Sequence, residues 1–128
     1  MPQSVIFNAE QPTTVKVGDK FTGDVYFEMI HKESKVQFAN VTFTPCARTY
    51  WHTHEEGQIL KVTTGSGWVC DKGEVPRRIK AGDVIWAPPR TTHWHGADER
   101  SLMTHFVVGF GGMTWHDEVT DEEYKRRE

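Results

Sequence analysis

Short runs of β-branched and aromatic residues, cut every few positions by Gly, Asp or Pro, fill the sequence, and no long stripe of helical period interrupts them. That punctuation is the mark of an antiparallel sandwich or barrel. The runs predict strands at Ser4–Phe7, Thr14–Val17, Asp24–Met29, Val36–Thr44, Gln58–Thr63, Gly67–Cys70, Arg78–Lys80, Val84–Ala87, His93–Gly96 and Leu102–Gly109. Gly65, Asp71–Gly73, Ala81–Asp83 and Pro88–Arg90 supply the turns. Within Val36–Phe43, alternation puts Gln37, Ala39, Val41 and Phe43 on one face, which we expect to point into the barrel. Thr120 and Glu123 have the spacing of a capping box and predict a short C-terminal helix.

At 128 residues the chain has room for one core, so a single domain over residues 1–128 is expected. A hydrophobic content of 37%, with 12% aromatics, is enough to fill it. The 15 basic and 18 acidic side chains are interspersed, for a net charge of −3, and form no stripe that would track a phosphate backbone. Nucleic acid is excluded as a partner on that ground. No apolar run approaches the ~20 residues that cross a bilayer, and the first residues lack a basic start with an apolar core. A cytoplasmic protein without membrane contact is expected. Cys46 and Cys70 are too few to staple a secreted scaffold and lack CxxC spacing, so both are read as reduced thiols.

The sequence has seven histidines, and five of them fall between positions 52 and 105. His52-Thr53-His54 places two imidazoles on the same face of an extended segment, where both can reach one ion. Gln58 can add an amide oxygen from the start of the next strand. His93-Trp94-His95 repeats the spacing after a Gly-Asp turn and a Pro-Pro pair, which brings a further ligand on a returning strand. His105 shares a face with Met103 and Val107, the position of an ordinary core histidine. His31 and His116 lie apart and are read as structural or exposed.

Residues 46–65 and 82–97 resemble the two cupin motifs. The first is carried by Cys46, His52, His54, Gln58 and Gly65, the second by Gly82, Pro88, His93 and Ala97. Four positions depart from the motifs: Cys46 stands for the opening glycine, Gln58 for the glutamate, Arg90 for a glycine of the second motif and Ala97 for its asparagine. ARTYWHTHEEGQ, TGSGWV, AGDVIWAPPRTTHWHGA and LMTHF are similar to the small single-domain cupins that include the manganese-dependent hydroxynitrile lyases. The resemblance implies an all-β jelly-roll barrel with metal ligands His52, His54, Gln58 and His93. It places His95 and His105 beside the open coordination positions, and Ala39 and Val41 in the substrate cavity. Trp94 is added as a candidate aromatic wall.

An amide in place of a carboxylate leaves the ion more positive and a stronger Lewis acid. Nitrogen and oxygen ligands suit Mn(II), Fe(II), Ni(II) or Zn(II), with manganese favoured by the amide oxygen and the resemblance. The expected activity is Lewis-acid chemistry on a small molecule with a histidine proton carrier, most like a hydroxynitrile-lyase type of carbon-carbon cleavage. His95 is open between ligand, hydrogen-bonding partner and base. An Fe(II) dioxygenase, a decarboxylase, isomerase or cyclase, and a non-catalytic binding protein are the alternatives. Outward apolar residues such as Phe38 suggest a homodimer.

Overall fold

A computed structural model describes residues 2–7 and 14–127. Its strands are β1 (Thr14–Val17), β2 (Phe21–Thr22), β3 (Val25–Lys32), β4 (Val36–Phe43), β5 (Arg48–Thr49), β6 (His52–His54), β7 (Gln58–Asp71), β8 (Arg77–Lys80), β9 (Val84–Ala87), β10 (Thr92–Ala97), β11 (Met103–Phe110) and β12 (Met113–Trp115). A single helix, α1 (Asp121–Lys125), follows. All pairings are antiparallel. One sheet runs β1-β3-β4-β11-β7-β9, and the other joins β8, β7 and β10 to β5, β6, β2 and β12. The result is the all-β barrel expected from the strand pattern. Among the described residues, no helix is long and apolar enough to cross a membrane.

The strand β7 belongs to both sheets. Its first half pairs with β11 as far as Gly65, and its second half pairs with β10 from Gly67 onward. The sequence reading made two strands of this segment because Gly65 looks like a turn. It is instead a bend within one strand, at φ 77°, and a Cβ there would overlap the Leu102 carbonyl. The expected strand Ser4–Phe7 is also absent. That segment makes no ladder, and Phe7 instead packs its ring 5.5 Å from His31 and 5.6 Å from Phe38. The short strands β2, β5 and β12 were missed because two or three residues carry no readable periodicity.

Two motif positions that depart from glycine keep the backbone a glycine would have. Cys46 has φ 71° and Arg90 has φ 65°. Each holds a left-handed conformation at a cost of roughly 1–2 kcal/mol, so the turns leading into β5 and β10 are imposed by the surrounding fold.

Alternation divides the apolar side chains into two layers. Val25, Ala39, Val41, Phe43, Leu60, Val62 and Met103 fill the barrel. Outside the second sheet, Trp51, Cys70, Trp94, Val119 and Tyr124 form a smaller cluster under α1. Trp94 is therefore a correction. With His93 and His95 facing inward, period 2 sends Trp94 outward, where its ring lies 5.6 Å from Tyr124.

The terminal helix has the expected capping box: Glu123 N donates to Thr120 Oγ1 at 3.1 Å, and Thr120 N donates to Glu123 Oε1 at 3.0 Å. Five residues are too few to hold a helix alone. Docking completes it, for Tyr124 Oη donates to Ala97 O at 2.6 Å. The buried Arg48 donates to Val119 O at 2.8 Å, pairs with Asp121 and lies over the Tyr124 ring. Tyr124→Phe should cost about 1 kcal/mol and Tyr124→Ala about 3 kcal/mol or more, both read from urea unfolding midpoints.

Candidate metal centre

The site is built where β6 meets β10. The register sets His52 directly opposite His93 and Thr53 opposite Thr92, while β11 brings His105 alongside from the other sheet. His52, His93 and His95 each offer a nitrogen, and the three lie within 4.8 Å of one another. These three buried side chains form a cluster that could hold a divalent metal. The His54 ring centroid lies 5.4 Å from that of His52, just outside the tight trio. Gln58 Oε1 is 2.9 Å from His93 Nε2.

The His52 and His95 rings are oriented by the nitrogen that faces away from the cluster. His52 Nδ1 donates to the Tyr50 carbonyl at 2.9 Å, which leaves Nε2 as an acceptor. His95 Nδ1 and His105 Nε2 share a hydrogen bond of 2.9 Å, and the Phe43 ring packs edge-on against both imidazoles. His52 Nε2, His54 Nε2, His93 Nδ1, His95 Nε2 and His105 Nδ1 are buried with no hydrogen-bond partner. Orphaned buried polar atoms cost about 1–3 kcal/mol each and are rare in native proteins. A divalent ion would supply what the nitrogens facing the cluster lack, so the donor set suits one.

Burial also sets the charge state. It lowers the pKa of His52 to about 3 and those of His54 and His105 to about 4. His93 and His95 are held well below the ordinary value, first by burial and then by the neighbouring imidazoles. All five are neutral at pH 7, the form that binds metal.

A cavity of about 400 Å³ opens on the site. His52, His54, Gln58 and His95 line it, and so do Ala39 and Val41. Trp94 does not line it, for the reason given above. Phe21, Phe27 and Trp115 add aromatic walls that the sequence reading did not single out, with the Trp115 ring centroid 5.0 Å from that of His52 and tilted 51° to it. Phe27 was legible, since alternation within the expected strand Asp24–Met29 puts it on the same face as Val25. Phe21 and Trp115 sit in the two short strands that gave no signal.

The fold and site define a small all-β barrel with a histidine cluster on paired strands that could hold a metal beside an apolar cavity. The cupin domain family model matches residues 39–109, and the chain belongs to the cupin family. It is 42% identical over 115 residues to an (R)-mandelonitrile lyase of Granulicella tundricola, covering 84% of this chain and 88% of that one. A cupin-like protein from Thermotoga maritima is 36% identical, with a TM-score of 0.81 and coverage of 95% and 96%. A predicted oxalate decarboxylase from the same organism shares the fold at 21% identity and a TM-score of 0.70, covering 83% of this chain and 99% of that one. The relationship to an enzyme over most of its length indicates catalytic activity in this chain.

In the metal-free protein these histidines have low pKa values when folded and about 6.5 when unfolded. The unfolded chain therefore binds more protons below pH 6.5. The stability that neutral burial contributes is complete above that pH and is lost as pH falls toward about 4. Urea titrations between pH 7 and 4.5 should show a slope approaching about 1.4 kcal/mol per pH unit for each histidine. His105→Gln should reduce that slope by one histidine's share.

Proposed function

We propose that the protein is a metal-dependent lyase that cleaves a cyanohydrin into an aldehyde or ketone and hydrogen cyanide, with Mn(II) as its metal. The observation that carries this reading is the set of buried, unpartnered imidazole nitrogens beside the His95–His105 pair on an aromatic-walled cavity. The 42% identity to an (R)-mandelonitrile lyase supports the choice of reaction.

His52, His54, Gln58 and His93 would hold the ion, with His95, the third member of the tight trio, set at an open position beside it as the proton carrier; a bound divalent metal would supply a Lewis acid there. The chain's own residues do the rest. A neutral imidazole can accept a proton only at the nitrogen without a hydrogen. With His95 Nδ1–H donating to His105 Nε2, His95 Nε2 keeps its lone pair in the cavity. His95 takes the hydroxyl proton as the bond to the nitrile carbon breaks. The electron pair of that bond leaves with cyanide, which recovers the proton from His95. His105 holds the His95 tautomer and Phe43 keeps water from the pair. Phe21, Phe27 and Trp115 give an aryl substituent a wall to stack on.

The test is metal analysis followed by cleavage of mandelonitrile by Mn-loaded protein, with and without oxygen. Equal release of benzaldehyde and cyanide under both conditions is expected, whereas turnover that required oxygen would identify an oxygenase instead. Replacing His52 or His93 by alanine should remove the metal. His95→Ala should keep it and lower kcat by about 10²–10⁴-fold.

The same reading includes a homodimer. Across the first sheet, His31, Phe38, Val108, Ile59 and Trp86 stand in one cross-strand register row, which reaches the cavity at Phe38. Trp86 is 53% exposed and Val84 beside it 63%. A row of this kind suits a second copy of itself. Sedimentation should give a dimer, and Trp86→Glu combined with Val108→Asp should give a monomer.

A further inference from the structure

Gly109 is a glycine that its backbone does not require. Its φ is not positive, and it sits within β11 in register with Gln37 on β4 and Gln58 on β7. Glycine inside a strand weakens it relative to alanine, so the missing side chain calls for another explanation. It lines the cavity, and the atoms a Cβ would meet there all belong to His54: Cε1 at 2.8 Å, Nδ1 at 3.0 Å and Nε2 at 3.8 Å. The ring therefore lies edge-on over the bare backbone of β11, with Nε2 the nitrogen farther from it. That nitrogen is buried and has no partner.

The neighbouring imidazoles are oriented differently. His52 is held by the Tyr50 carbonyl and His95 by His105, each through the ring nitrogen that does not face the cluster. His54 is held by packing against the space left at position 109. Gly96 and Gly67 are also crowded, but there the obstruction includes backbone of adjacent strands, so a side chain would disturb the sheet itself. At Gly109 the obstruction is a side chain that can rotate. A methyl group at that position would be accommodated by moving the imidazole, with the barrel intact.

We propose that Gly109 is a positioning residue for His54: the absence of a side chain sets where this imidazole stands and hence how its Nε2 reaches the cluster. The consequence for metal binding rests on the reading of His54 as a ligand given above. The placement of the ring does not. The two are separable by experiment.

Long-range proton–nitrogen NMR of metal-free protein reads the histidine rings directly. Gly109→Ala should shift the His54 ring nitrogens more than those of His52 or His95, with the amide spectrum of the barrel otherwise retained. An unmoved His54 signal would overturn the proposal, whether or not the protein binds metal. Mn(II) titration followed by the electron paramagnetic resonance signal of the free ion then reads the consequence. Gly109→Ala should weaken binding at least tenfold in the native background and leave it unchanged in a His54→Ala background. An equal loss in both backgrounds would show that position 109 acts without His54, and no loss in the native background would show that the ring's position is immaterial to the ion. Wild-type protein that takes up no Mn(II) would remove the metal reading, and the NMR comparison alone would then decide the placement.

Discussion

Five imidazoles share the interior of one small barrel, and each has a buried nitrogen with no hydrogen-bond partner in the protein. Much of the remaining structure can be understood from that constraint. Such rings can be buried only in their neutral form, so the cavity around them is lined mostly with apolar and aromatic residues. They converge only because β6 and β10 pair in register and β11 closes against β7. The ring nitrogens left over are used to fix orientation, as the Tyr50 carbonyl does for His52 and His105 does for His95. Neutral donors around a divalent ion would leave its charge undiminished.

The parts of the molecule that were readable in advance are those governed by short-range rules. Period 2 put Ala39, Val41 and Phe43 inside, and the Thr120–Glu123 spacing marked the helix start. The same rule, applied to His93 and His95, also excludes Trp94 from the cavity, since neighbours on a strand face opposite ways. Gly65 was ambiguous for a physical reason. A glycine at positive φ serves a turn or a bend within a strand equally well, and only the partners on either side, β11 and β10, decide between them. Phe21 and Trp115 reach the cavity through strands of two and three residues, which are defined by their pairing rather than by any local pattern. The contact between Gly109 and His54 joins positions 55 residues apart and has no local signature.

Cys46 and Arg90 bear on how motif departures should be weighed. Both stand where the motifs have glycine, and both adopt the left-handed backbone. The conformation is what the turn demands, and a side chain can occupy it at a modest energetic cost. A departure in residue type at such a position therefore says little about the fold, whereas Gln58 in place of a carboxylate changes the charge of the site.

The register that sets His52 against His93 also orders events in time. These residues are 41 positions apart, and no shorter segment of the chain holds both halves of the site. The donor set comes into existence only when the ends of a long loop have met and the sheet has zipped between them, a slow step for a topology of this kind. An ion that recognises the assembled cage finds only fragments of it in the open chain, such as the local His52–His54 pair. Most of its binding free energy would therefore fall on the closed barrel by mass action. Occupancy would act as a ratchet that holds the barrel shut, coupling metal supply to how long each molecule survives as a folded protein.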